Sequence, residues 1–77
     1  MNLLSELQQG EKAIIDTFAV EDVPLKLIEM GCIPGSLVEI IQFAPYNDPV
    51  HIDINGTHLA IRANIASKIK VKRFIHD

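Results

Sequence analysis

The sequence predicts a small, mainly β fold: an antiparallel barrel of five short strands, with one short helix inserted between the first and second strands. Three observations carry that prediction. Short runs rich in β-branched and aromatic residues recur between turn signals spaced roughly eight to twelve residues apart. Two of these runs are joined by Asn55-Gly56, the dipeptide of a two-residue hairpin turn. Finally, 77 residues, 48% of them hydrophobic, allow one domain, residues 1–77, around a single core.

Taken in order, Asn2 to Leu7 has the pattern of a single helical or 3₁₀ turn, with Asn2 as its cap and Leu3, Leu4 and Leu7 on one face. Lys12 to Ala19 is the first strand. Ala13 and Ile15 face the core, and Ile14 and Phe18 fall on the other side, so the alternation is imperfect. A helix follows, with Asp22 as N-cap and Pro24 in its first turn. Leu27, Ile28 and Met30 form its apolar stripe, while Lys26 and Glu29 face water. Gly31 stops the helix, and Ile33-Pro34-Gly35-Ser36 has the signature of a type II turn. Leu37 to Phe43 is the second strand. Ala44 to Pro49 is a loop stiffened by two prolines, with Asn47 suited to a left-handed backbone.

Val50 to Arg62 is the hairpin. Its two-residue turn sets Ile54 opposite Thr57, Asp53 opposite His58, Ile52 opposite Leu59 and His51 opposite Ala60. Val50, Ile52, Ile54, Leu59 and Ile61 then point to the core, and His51, Asp53, His58 and Arg62 away from it. Asn64 is placed to cap a short turn through Ile65 and Ala66. Ile69 to Phe74 closes the fold, with Ile69 and Val71 inward and Lys70 and Lys72 outward.

Composition narrows the function. The net charge of −3 argues against a nucleic-acid binder. Charge is uneven: residues 1–53 carry nine acids and two bases, and residues 54–77 carry five bases and one acid. Such asymmetry can mark an interaction face. Cys32 is the only cysteine, which fits a reducing, cytoplasmic compartment. The N-terminal residues lack the pattern of a signal peptide, and no stretch approaches the roughly 20 apolar residues of a membrane span, so direct membrane insertion is not expected.

The chain carries no phosphate-binding glycine loop, no nucleophile elbow and no second cysteine for a structural zinc site. No catalytic residue and no resident cofactor are therefore expected, and Cys32 reads as a small buried hydrophobe. His51, Asp53 and His58 are the one metal-like group. They share a hairpin face and could hold ferrous iron or another divalent metal weakly. The competing reading is an ordinary polar strand face that encloses nothing. Lys68, Lys70, Lys72 and Arg73 read either as lysines guarding an edge strand or as a patch for an acidic partner surface or an anionic membrane face. Tyr46 sits at the tip of the proline loop, either as a contact residue or folded back over the barrel mouth. An edge strand together with the apolar Ile14/Phe18 face would support a homo-oligomer.

LKLIEMGCIPG, FAPYNDPV and HIDINGTHLAIR, in this order and spacing, resemble the FeoA family, the small cytosolic component of the bacterial ferrous iron transport system. The resemblance covers nearly the whole chain and implies an SH3-like barrel. It implies a non-enzymatic accessory protein that binds the FeoB membrane permease on its cytoplasmic GTP-binding side and supports or regulates iron uptake. The implied partner surface takes in Lys26, Met30 and Pro34 from the helix and turn, and Pro45, Tyr46, Asn47 and Asp48 from the loop. Cys32 stands where a larger aliphatic or Met is usual, and Tyr46-Asn47 replaces a common Leu-Gly. The same domain ends iron-dependent repressors. Without a preceding winged helix, a repressor role is not expected here.

Overall fold

Side chains that alternate at period two must be either buried or solvated as a set. In the computed structural model, which describes residues 2–73, Ala13, Ile15, Val38, Ile40, Val50, Ile52, Ile54, Ile61, Ile69 and Val71 are the buried set. Leu4, Leu7, Val23, Cys32 and Ala66 complete the core from the connecting segments.

The strands are β1 (Asn2–Leu3), β2 (Lys12–Thr17), β3 (Leu37–Phe43), β4 (Val50–Ile54), β5 (Thr57–Ile61) and β6 (Lys70–Arg73). Two short helices, α1 (Leu25–Glu29) and α2 (Ala63–Ala66), and 3₁₀ turns at Leu4–Glu6, Val20–Asp22 and Pro45–Asn47 connect them. The sheet order is β1-β6-β2-β3-β4-β5, and every pair is antiparallel. The sheet curls into a small barrel that hydrogen bonds do not close. Among the described residues β1 and β5 are its two edges, and α2 packs against the first 3₁₀ turn.

The hairpin is as expected: the β4–β5 register matches residue for residue, with Asn55 and Gly56 at φ 50° and 91°. The type II turn is also present, with Gly35 at φ 94° and the Ser36 N–H donating to the Ile33 carbonyl at 3.1 Å. Gly31, at φ 109°, ends α1.

Several expectations are corrected. Among the described residues there are six strands, not five, because Asn2 and Leu3 pair with Val71 and Lys70 instead of starting a helical turn. Two residues are too few to show alternation, so this strand leaves no periodic signal. The following 3₁₀ turn is capped at Leu3, whose N–H donates to the Glu6 carboxylate at 2.7 Å. The N-cap of α1 is Pro24, while Asp22 lies in the preceding 3₁₀ turn. Asn64 lies inside α2, whose N-cap is Arg62. Met30 is exposed and only Leu27 and Ile28 pack inward from α1. The lysine strand β6 is not an edge, since β1 and β2 flank it. Phe74 lies outside the described residues.

Two bulges explain the imperfect alternation. The β2–β6 register shifts between Ile15 and Thr17, and the β3–β4 register between Ile40 and Gln42. An extra residue inverts the facing of everything beyond it. Phe18 and Phe43, on the outer parity by simple counting, are accordingly packed against the core. Ile14, in β2 between β6 and β3, and Phe18, just past the end of that strand, are both half-buried.

Candidate functional site

The residues singled out from the sequence fall into three places. The first is the end of the barrel covered by α1. A five-residue helix with half-buried Leu27 and Ile28 leaves its other face to solvent. Leu25 is 69% exposed and Ile33 45% exposed, and Val20, Met30 and Leu37 are exposed beside them in the chain. Lys26 and Pro34 are also exposed here. This segment is pinned from the hairpin tip. Asn55 Nδ2 donates to Ser36 Oγ at 3.2 Å, Asn55 Oδ1 accepts the Leu37 N–H at 3.3 Å, and the Asn55 N–H donates to the Leu37 carbonyl at 3.2 Å. The segment therefore presents several apolar side chains to solvent, and its Ser36–Leu37 end is fixed by Asn55. Behind it Cys32 is buried, and burial pushes its thiol above the ordinary value.

The second place is the proline loop. Tyr46 and Asn47 both adopt left-handed backbone, at φ 64° and 63°, and Tyr46 is fully exposed rather than folded over the barrel mouth. A non-glycine residue in that region carries a cost that the surrounding structure must offset. The loop stem does so. The Ala44 N–H donates to the Pro49 carbonyl at 3.0 Å and the Asn47 N–H to the Ala44 carbonyl at 2.8 Å. Asp48 Oδ1 accepts the Ala63 N–H at 3.0 Å, capping α2 from outside its own segment, and lies 3.7 Å from Arg62 Nε. Pro45, Tyr46 and Asn47 remain presented to solvent, whereas the Asp48 carboxylate is engaged within the fold. The sequence points to Asn64 for this cap instead, because a cap taken from a distant loop leaves no local signal.

These two places lie at opposite ends of β3, a strand of seven residues. At about 3.3 Å per residue they are roughly 20 Å apart. They are two surfaces, not one.

The third place is the outer face of the hairpin. The register carries Lys12, Glu39, Asp53 and His58 side by side across β2, β3, β4 and β5. His58 Nε2 lies 3.6 Å from Asp53 Oδ2, and Asp53 Oδ1 is buried with no hydrogen-bond partner. His51 lies further along, opposite Ala60 on one side and Gln42 on the other. The structure thus brings together two of the three metal-like residues. Among the described residues no group of three His, Cys, Asp or Glu side chains converges to hold a metal ion. On the cationic strand, Lys72 lies 3.8 Å from Asp16 and Arg73 lies 3.6 Å from Glu11, so part of that charge is answered within the fold. No helix among the described residues is long and apolar enough to cross a membrane.

Comparison with known proteins places these features in context. The family model described as FeoA domain matches residues 2–73. A fusion of Fe(2+) transport protein A with the Fe(2+) transporter FeoB, from Porphyromonas gingivalis, is 36% identical over 70 residues. That match takes in 90% of this chain but only 8% of the fusion protein's length. The solution structure of the FeoA protein from Chlorobium tepidum is 32% identical and superposes with a TM-score of 0.89, covering 99% of this chain and 73% of that one. A zinc-complexed FeoA from Stenotrophomonas maltophilia, described as a prokaryotic SH3 domain protein, shares the fold at a TM-score of 0.77 and 23% identity. The match covers 94% of this chain and 91% of that one.

Proposed function

The chain belongs to the FeoA domain family, and we propose that it acts as a non-enzymatic cytoplasmic adaptor that binds a FeoB-type ferrous iron transporter through the α1 end of the barrel. The observation that carries the reading is the exposed apolar group Leu25, Met30, Ile33 and Leu37 on a segment locked in place by Asn55. Several large apolar side chains exposed within one short segment are a mark of a surface that a partner covers. Lys26 and Pro34 border it, giving an apolar centre with a mixed rim. The fused relative supports the choice of partner, since fusion holds the two modules at a high effective concentration. The domain favours one conformation of the transporter by binding it more tightly than the other, which supports or regulates iron uptake.

The test is capture of FeoB from membranes, with and without guanine nucleotide. Leu25→Ser and Ile33→Ser, each of verified fold, are compared with Tyr46→Ala. Capture by wild type and Tyr46→Ala, lost in both serine variants, is the expected result. Loss only with Tyr46→Ala would move the site to the proline loop, and no capture by wild type under either condition would sink the adaptor reading.

A further inference from the structure

We propose that the free edge of β5 accepts the β5 strand of a second copy of this chain, extending the sheet across a two-fold axis. The inference begins with the hairpin. A two-residue turn makes Ile54 and Thr57 a hydrogen-bonded pair, so Ile52/Leu59 and Val50/Ile61 are hydrogen-bonded pairs too. The backbone N–H and C=O groups of His58 and Ala60 then point away from β4. Among the described residues β4 is the only strand hydrogen-bonded to β5.

Exposed edges are ordinarily blunted by a proline, a lysine, a bulge or extreme shortness. The opposite edge, β1, is two residues long. β5 has none of these devices: it is Thr57-His58-Leu59-Ala60-Ile61, five residues in unbroken register with β4. It also has an unmet need. Leu59 lies on the core side of the hairpin yet is only half-buried, while its cross-strand neighbour Ile52 is buried. Among the described residues no strand flanks Leu59 on the open side.

The β5 side chains are self-complementary in one register, in which Leu59 meets Leu59 of a second copy. Antiparallel pairing of β5 with itself can place His58 opposite His58, Ala60 opposite Ala60, or His58 opposite Ala60 of the second copy. The first sets two imidazoles face to face and leaves Leu59 opposite Thr57 of the second copy. The second sets His58 opposite Arg62 of the second copy. The third puts Leu59 directly against Leu59 of the second copy, in the closer, non-hydrogen-bonded geometry. It forms four backbone hydrogen bonds and covers the half-exposed leucines. One strand pair buries less than a standard interface, so the dimer is weak and concentration-dependent.

Sedimentation equilibrium from about 10 μM to about 1 mM, a range that brackets weak association, tests this directly. The expected result is a mass that rises from 8.6 kDa toward twice that value. Amide exchange at His58 and Ala60 should slow severalfold over the same series, while that at Thr57 and Leu59 should not change. Ala60→Pro removes an edge donor without touching the β4 ladder and should stay monomeric. Ala60→Lys, which places a charge on the edge, should do the same even if the proline variant fails to fold. Register is read from mild oxidation: Leu59→Cys should cross-link to a dimer at least tenfold faster than Thr57→Cys. A chain monomeric to 1 mM would overturn the proposal, as would variants that associate like wild type or equal cross-linking rates. Protection of the edge only on adding the GTP-binding portion of the transporter would overturn it too, assigning the edge to that partner.

Discussion

Asp48 and Ala63 are fifteen residues apart in sequence, yet the Asp48 carboxylate supplies the cap that α2 lacks. Asp48→Ala should lower stability by about 1 kcal/mol, the usual cost of a lost cap, read from the urea midpoint. Asp48→Asn keeps the accepting oxygen and should stay close to wild type, since the Arg62 pair is exposed and worth little. Asp48 is thus a poor choice for probing partner contacts, because its loss disturbs the loop that presents Tyr46. Gly31 is a second sensitive residue. At φ 109° an alanine has room but not the backbone, so Gly31→Ala should cost about 1 kcal/mol or more in the same assay. Cys32 gives a pH signature. Burial raises its thiol, so the unfolded chain ionises first as pH rises. Its contribution to stability is intact below the ordinary thiol value and lost as pH climbs through the raised one. Urea midpoints should therefore decline above about pH 8.5, and a Cys32→Ala variant should decline less.

Among the elements, the β4–β5 hairpin holds the largest share of the interior, and Ile52 sits fully buried at its middle. Ile52→Ala should cost about 2–5 kcal/mol, comparable to the whole stability of a small domain, and leave the chain largely unfolded by circular dichroism. This hairpin was legible from sequence because a two-residue turn dictates register, and register dictates facing. The bulged strands were less legible. Phe18 and Phe43 turn inward only because one residue slips at Asp16 and at Ile41, and a slip is set by partner strands that sequence does not display. The start of α1 was misplaced for a local reason. Asp22 has the chemistry of a cap, but the chain spends it in a 3₁₀ turn before Pro24 sets the helix angle.

At the scale of the molecule, the SH3-like architecture follows from the hairpin, the turns and the strand count, all of which leave local signals. The candidate site does not. Lys26, Met30 and Pro34 were separable from Tyr46 and Asn47 only once β3 was seen to hold them at opposite ends. The exposure of Leu25 and Ile33 likewise depends on how little of α1 the core accepts. The same whole-molecule view shows where the first and last described strands are brought. β1 lies on β6 with Asn2 opposite Val71, so the first and last strands run side by side. A host polypeptide that entered at Asn2 would find Val71 one strand spacing away, about 5 Å. Its two flanks would not be forced apart, and the domain could be spliced into an exposed loop as readily as joined at a terminus.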